Sequence, residues 1–364
     1  MKTGNKIIVL VAIICVAVAS FGGGYIFSQP NTTVDIPSEE KQTVTVQDTA
    51  DRYVEVPYPV ETIVVLWTTP TEELKALGAI DRIVGIDANS KANVDKGLYP
   101  ELENVAVVGS YDEPNYEAIA ELDPDVVIML SSYAPYPDEV QEQLDPFGIA
   151  VVALDFYRTE VFYRELRTLG FMLDLETETE DYIAFFQDKV DMINERIADL
   201  TDENKKTVYF EAAADYMSYG GADYGCGIPL MITSLGGRYI YPELSPYTFE
   251  IDPEDLAQRN PDVIIKLHND GYFLTNTTEF ETTYNAMVSR PELQSTTAVT
   301  TDNVYVISVD VTGGARKLIG AMFIPKLLYP ELFEDFDPMQ LLQDYMETYL
   351  DRPWQGEYLY PAIN

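Results

Sequence analysis

The sequence predicts an α/β protein of two lobes with central parallel sheets, joined by a single long α-helix and enclosing a ligand cleft between the lobes. Three observations predict it. First, a chain of 364 residues is too long for one ordinary core, and two domains of roughly 130 to 170 residues are expected. Second, one stretch occurs twice, as NYEAIAELDPDVVIML from Asn115 to Leu130 and as DPEDLAQRNPDVIIKL from Asp252 to Leu267. Laid over each other without a gap, the copies pair Glu117 with Glu254, Ala120 with Ala257, Pro124-Asp125 with Pro261-Asp262, Val126 with Val263, Ile128 with Ile265 and Leu130 with Leu267. Each copy reads as a short helix, a Pro-Asp break that a helix does not easily cross, and an apolar β-branched run suited to a buried parallel strand. Two Rossmann-like lobes on one plan follow. Third, side chains suited to one face recur every three or four positions through Tyr182, Phe186, Lys189 or Val190, Ile193, Ile197 and Leu200, which marks one amphipathic helix over 176–200. At ~1.5 Å per residue it is roughly 37 Å long and serves as a stiff spine between lobes.

Taken in order, residues 1–27 are a signal peptide or a membrane anchor, because Lys2 and Lys6 precede the apolar run IIVLVAIICVAVAS. Cleavage after Ala19 and retention as a span are both open, and either places the rest outside the cytoplasm. Residues 28–42 form a polar tether. In the N-terminal lobe, 43–158, TVTVQDTADRYVEVP reads as a β-hairpin and TIVVLW as a buried strand. Thr69 then reads as an N-cap, with Pro70 at the first helical position and Glu72 closing a capping box. The helix stops at Gly78, RIVGID is the next strand, and the first repeat copy and GIAVVALDF add two more. The helical segment 159–204 holds the spine. The C-terminal lobe, 205–364, repeats the plan with TVYFEA, IPLMITSLGG, RYIYPE, the second copy and NVYVIS, and ends in helices broken at Pro325, Pro330 and Pro338 and an aromatic tail.

Composition excludes several functions. Sixty-one acidic residues against 23 basic ones give a net charge of −38, which opposes binding to nucleic acid and to anionic membrane surfaces. Cys226 is the only cysteine beyond the leader, so no disulfide framework exists. No phosphate loop, dinucleotide fingerprint or nucleophile elbow is present. His268 is the only histidine, which is too few for a zinc site of the His and Cys type. Asn31 and Asn276 open Asn-Thr-Thr sequons and are glycosylation candidates.

Tyrosine is abundant, with 26 copies, and ligands in parallel α/β sheets bind outside the carboxyl ends of the strands. That rule nominates Trp67, Thr68, Tyr111, Ser131, Ser132, Tyr133, Tyr136, Tyr157 and Arg158 in the first lobe. In the second lobe it nominates Tyr216, Tyr219, Tyr224, His268, Asp310, Thr312 and Arg316. A cleft so lined suits a flat or bulky ligand carrying carboxylates, amides or a metal centre.

With the leader, the two lobes and the spine in place, the chain resembles the substrate-binding proteins of ABC importers for iron-siderophore, haem and cobalamin, the Fe/B12 periplasmic-binding type with a rigid interlobe helix. The resemblance rests on LKALGAIDRIVGID, NYEAIAELDPDVVI, SLGGRYIYPE, DPEDLAQRNPDVII, AVTTDNVYVIS and LLYPELFEDFDP in that order. It implies a monomeric, non-enzymatic protein without a cofactor of its own, whose partners are a permease dimer with its ATPase subunits and a metal chelate. It also implies that Glu117 and Glu254, one per lobe, dock onto the permease. The tyrosine-rich cleft points toward an iron complex, a ferric siderophore or haem, since tyrosine oxygens are hard ligands. A corrinoid of the same importer class, or a sensor domain that does not transport, is the alternative.

Overall fold

The computed structural model describes residues 42–220, 227–272, 274, 276, 278–311 and 314–363. The leader, most of the tether, Asn31, Tyr224, Cys226 and Thr312 lie outside the described residues. An antiparallel hairpin comes first, β1 (Thr43–Gln47) on β2 (Tyr53–Pro57). Five parallel strands follow, β3 (Ile63–Val65), β4 (Ile83–Ile86), β5 (Ala106–Val107), β6 (Val126–Met129) and β7 (Ala150–Ala153). Their spatial order is β5-β4-β3-β6-β7. Alternate residues of these strands pack into two separate apolar clusters: Ile63, Val65, Ile128 and Val152 in one, Val64, Val127, Met129 and Val151 in the other. Both faces are therefore covered, as a parallel sheet requires.

The second sheet is built from β8 (Thr207–Glu211), β9 (Met217–Tyr219), β10 (Arg238–Tyr239), β11 (Thr248–Glu250), β12 (Val263–His268), β13 (Val304–Ser308) and β14 (Leu359–Tyr360). β12 lies parallel between β8 and β13, and β10 joins β8 in parallel. The pairs β8-β9, β9-β11 and β13-β14 are antiparallel. The tail thus adds an edge strand, and its Tyr358 and Leu359 are buried. Between the sheets run the helix Phe162–Leu173 and the spine Glu176–Ile197. The spine buries Tyr182 and Phe186, which pack on Tyr345 and Tyr349 around the helix Pro338–Thr348.

Both repeat copies fold alike. The helices Tyr116–Leu122 and Pro253–Arg259 are capped by the side chains of Asn115 and Asp252 and end in left-handed residues, Asp123 and Asn260. The Pro-Asp break is a staple. Asp125 accepts from the backbone of Glu61 and Thr62, and its own N–H bonds Thr62 Oγ1 at 3.0 Å. Asp262 accepts from Thr207 N and Oγ1, and its N–H bonds Thr207 Oγ1 at 2.9 Å. In each lobe the motif therefore pins the start of its strand to the start of the neighbouring one.

Two local expectations are corrected. Thr69 and Glu72 form no capping box: the helix spans Thr68–Ala76 after Trp67, Thr69 Oγ1 donates to Asp155 O at 2.8 Å, and Glu72 is drawn into a buried charge network. Pro325 does not break its helix, which runs through Gly314–Leu328. The neighbouring turns carry the helix past the missing N–H.

Candidate functional site: an aromatic cavity between the lobes

A cavity of about 310 Å³ is lined from one side by Trp67, Thr68, Thr69, Leu130, Tyr133 and Tyr157, and from the other by Tyr219, Ile228, Tyr247, Leu267, Val309 and Lys317. Most of these residues lie at or just beyond the carboxyl ends of the parallel strands β3, β6, β7, β12 and β13, as the strand-end rule expects, while Tyr219 ends the antiparallel β9. Trp67 stacks on Tyr133 at 6.3 Å and meets Tyr111 edge-on at 4.7 Å, so Tyr111 buttresses the wall. Tyr219 meets Tyr247 edge-on at 6.2 Å. The Tyr157 hydroxyl lies 2.6 Å from Ser132 Oγ. Burial pushes that phenol up to about 12, so it stays protonated well into the alkaline range.

Lys317 is the charged member of this lining. It is buried, and its ammonium lies 5.4 Å from the Tyr157 ring. Gly227, in a left-handed conformation, leaves it room: a Cβ there would stand 3.0 Å from Lys317 Nζ. A cation against an aromatic face, with most of its hydration removed, is well placed to hold an anionic group.

Its neighbour Arg316 has a different task. Arg316 Nε and Nη2 bind Glu72 at 2.9 and 2.8 Å, and Tyr99 and Tyr345 donate to the same carboxylate at 3.0 and 2.9 Å. Tyr182 donates to Glu73 at 3.0 Å. Burial alone would lower the Arg316 pKa, yet the Glu72 carboxylate holds it well above the usual value. Burial, and then the neighbouring carboxylates, push Tyr99 and Tyr345 far up. This network joins a first-lobe helix to a second-lobe helix and to the spine.

Of the nominated residues, Trp67, Thr68, Tyr133, Tyr157 and Tyr219 line the cavity. The others stand elsewhere. Tyr136 is exposed at a helix start. Arg158 pairs with Glu160 at 2.9 Å and lies 3.9 Å from Asp155. Tyr216 donates to Glu292 and lies under Arg290 at 4.3 Å. Ser131 is tied through N and Oγ to Asp155, both at 2.7 Å. His268 stacks on Phe280 at 4.5 Å. Asp310 accepts from Tyr272 N at 2.7 Å and lines a smaller polar cavity with Arg316 and Asp270. Glu117 and Glu254 are exposed, and neither forms an ion pair with a described residue. Each opens the helix whose following strand ends at the cleft edge. Asn276 is exposed and its side chain caps Thr278 N at 2.9 Å.

Sequence reading missed Lys317 and Tyr247. Arg316 and Lys317 are adjacent on one helix, where consecutive side chains diverge by about 100°, and composition cannot tell which faces the cavity. The helical phase relative to Glu72 decides it.

Two α/β lobes with an aromatic, singly charged cavity at their facing strand ends define a protein that binds small solutes. The chain belongs to the periplasmic binding protein family, whose model matches residues 63–310. The resemblance to ABC-importer binding proteins drawn from the sequence is borne out. Among relatives, the molybdate-binding protein MolA of Haemophilus influenzae is 23% identical over 334 residues, spanning 84% of this chain and 90% of the relative. YvrC of Bacillus subtilis, an uncharacterized ABC transporter substrate-binding lipoprotein, is 23% identical over 299 residues, 80% of this chain and 87% of its own. The structure of FepB from Veillonella parvula, described as a TroA-like periplasmic binding protein, superposes with a TM-score of 0.76 at 21% identity, covering 87% of this chain and 99% of FepB. MolA bound to molybdate superposes with a TM-score of 0.69 at 20% identity, covering 86% and 100%. At these identities the superpositions show the shared fold. Among the described residues, no helix is long and apolar enough to cross a membrane.

Proposed function

We propose that this protein captures an anionic metal complex outside the cytoplasm and delivers it to the permease and ATPase of an ABC importer, without chemical change to the ligand. The observation that carries the reading is the interlobe cavity, with five aromatic rings around one buried ammonium. Rings supply flat apolar contact and neutral hydroxyl donors, and Lys317 supplies the charge that an anion needs. An iron chelate, a ferric siderophore or haem, suits such walls. The cavity volume of about 310 Å³ lies at the small end for drug-sized ligands, so a ferric siderophore, haem or a corrinoid would each need the lobes to part. The same volume, with the hydroxyl of Thr68 in the lining, favours a second reading, a small oxyanion of the kind named for MolA.

Titration of the protein's tyrosine and tryptophan fluorescence with ferric siderophores, haem, a corrinoid and molybdate tests both readings. Saturable quenching by an iron complex supports the first, and saturation by molybdate alone supports the second. No saturation by any of the four overturns the cavity as a site for metal complexes. Lys317→Met should weaken the bound anion by about tenfold or more, the worth of a charge-assisted contact.

Glu117 and Glu254 are the proposed docking pair, one exposed carboxylate per lobe. Glu117→Arg or Glu254→Arg should abolish uptake in cells while ligand affinity in solution stays unchanged. A parallel loss of affinity would place them in the fold or the cleft instead.

A further inference from the structure

We propose that His268, Asp270 and Glu279 form a site for a divalent first-row transition metal bound by the protein itself. One ligand atom from each of the three lies within 4.8 Å of the others. Three ligands around one metal at ~2.1 Å are about 3.0–3.6 Å apart, so side-chain rotations that move each atom by roughly an ångström close the triangle. Their placement follows from the fold. His268 ends β12 and is held face-on by Phe280. Glu279 is in the first turn of the helix Thr278–Val288, which also carries Phe280. The strand end and the helix start are thus locked together by the ring stack.

His268 Nδ1 accepts a 3.2 Å bond from Asp270 N–H, so that ring nitrogen directs its lone pair toward Asp270. That bond is long and a metal can displace it. Asp270 and Glu279 are exposed, and neither is in an ion pair with a described residue, so a cation would meet two uncompensated carboxylates. One imidazole and two carboxylates suit the borderline ions from manganese to zinc better than calcium or copper(I), and leave coordination positions open. Leu267, just before His268, lines the aromatic cavity, and successive strand side chains point to opposite faces, so the metal site is separate from that cavity.

The site is independent of which solute the cavity takes, and it is tested with metal alone. The full chain, stripped with a chelator, is titrated calorimetrically with Ni²⁺, Zn²⁺ and Mn²⁺ chlorides. One equivalent should bind, and His268→Asn and Glu279→Gln should each weaken it about tenfold or more, since even indirect losses around metal sites reach that size. Glu142→Gln, which removes an exposed carboxylate elsewhere, should not. Circular dichroism identifies any variant that fails to fold. In that case Cu²⁺ bound to the unaltered chain decides: its electron paramagnetic resonance should show coupling to an imidazole nitrogen, and His268 is the only histidine in the chain. Weak binding of several equivalents without imidazole coupling would be condensation on an acidic surface and would overturn the site.

Discussion

The two repeat copies share a backbone and differ in what they bury. At the fourth position of each strand, the first copy has Met129 and the second has Lys266. Met129 is packed in an apolar cluster with Val64, Val127 and Val151. Lys266 is equally buried, but its ammonium lies 2.7 Å from Glu211 and 3.0 Å from Asp215, and Arg290 binds the same two carboxylates, each at 2.8 Å. Glu211 is its register partner on β8. Capping, the left-handed turn and the Pro-Asp staple specify the path of the chain, while the interior of a strand end is free to be oil or ion. In the second lobe the ions hold the segment 213–216, with Tyr216 at φ +54, in the bend between β8 and β9, and β9 delivers Tyr219 to the cavity.

The comparison is broken most directly by making the second copy resemble the first. Lys266→Met should destabilise the protein by about 3–5 kcal/mol, because Glu211 and Arg290 lose the third member of a buried set. Urea unfolding measures it. The double variant Lys266→Met/Glu211→Leu should lose more still, because Glu211 also accepts from Arg290, Tyr209 and the Tyr216 N–H. A single variant as stable as the parent would mean that the ions contribute nothing beyond the methionine they replace.

A smaller effect is expected between the lobes. Glu72→Gln keeps the shape of the Arg316 contact but removes its charge, and should cost about 1.5–3 kcal/mol, the worth of hydrogen bonds to charged groups. If the network also fixes how the lobes meet, the same variant alters ligand affinity without touching a cavity residue. An unchanged affinity would confine Glu72 to stability.

These differences explain what the sequence disclosed. Periodicity and the Pro-Asp pairs carry the path of the chain, so the hairpin, both repeat copies and the parallel core were legible from Thr43 to Ser308. Charge partners were not. Glu72 three residues after Thr69 looks like a helix-start residue, and only the arrival of Arg316 and Tyr345 from the far end of the chain shows why it is buried. The same holds for Tyr216 and Lys317, whose neighbours are supplied by other elements. His268 was visible as a strand-end histidine, but the turn that brings Asp270 and Glu279 beside it was not.

The smallest predicted effect tests what the copies have in common. Asp125 and Asp262 each accept two hydrogen bonds on one carboxylate oxygen, Asp125 from Glu61 N and Thr62 N, Asp262 from Thr207 N and Oγ1. Asparagine retains an oxygen of the same shape but not the charge that strengthens both bonds. Asp125→Asn and Asp262→Asn should therefore each cost about 1 kcal/mol in urea unfolding, and the two losses should add in the double variant because the sites share no partner. A loss confined to one lobe would mean that the staple is structural in one copy and incidental in the other. Equal losses would make the Asp-Thr pair the common fastening of both lobes, set beneath interiors that have diverged.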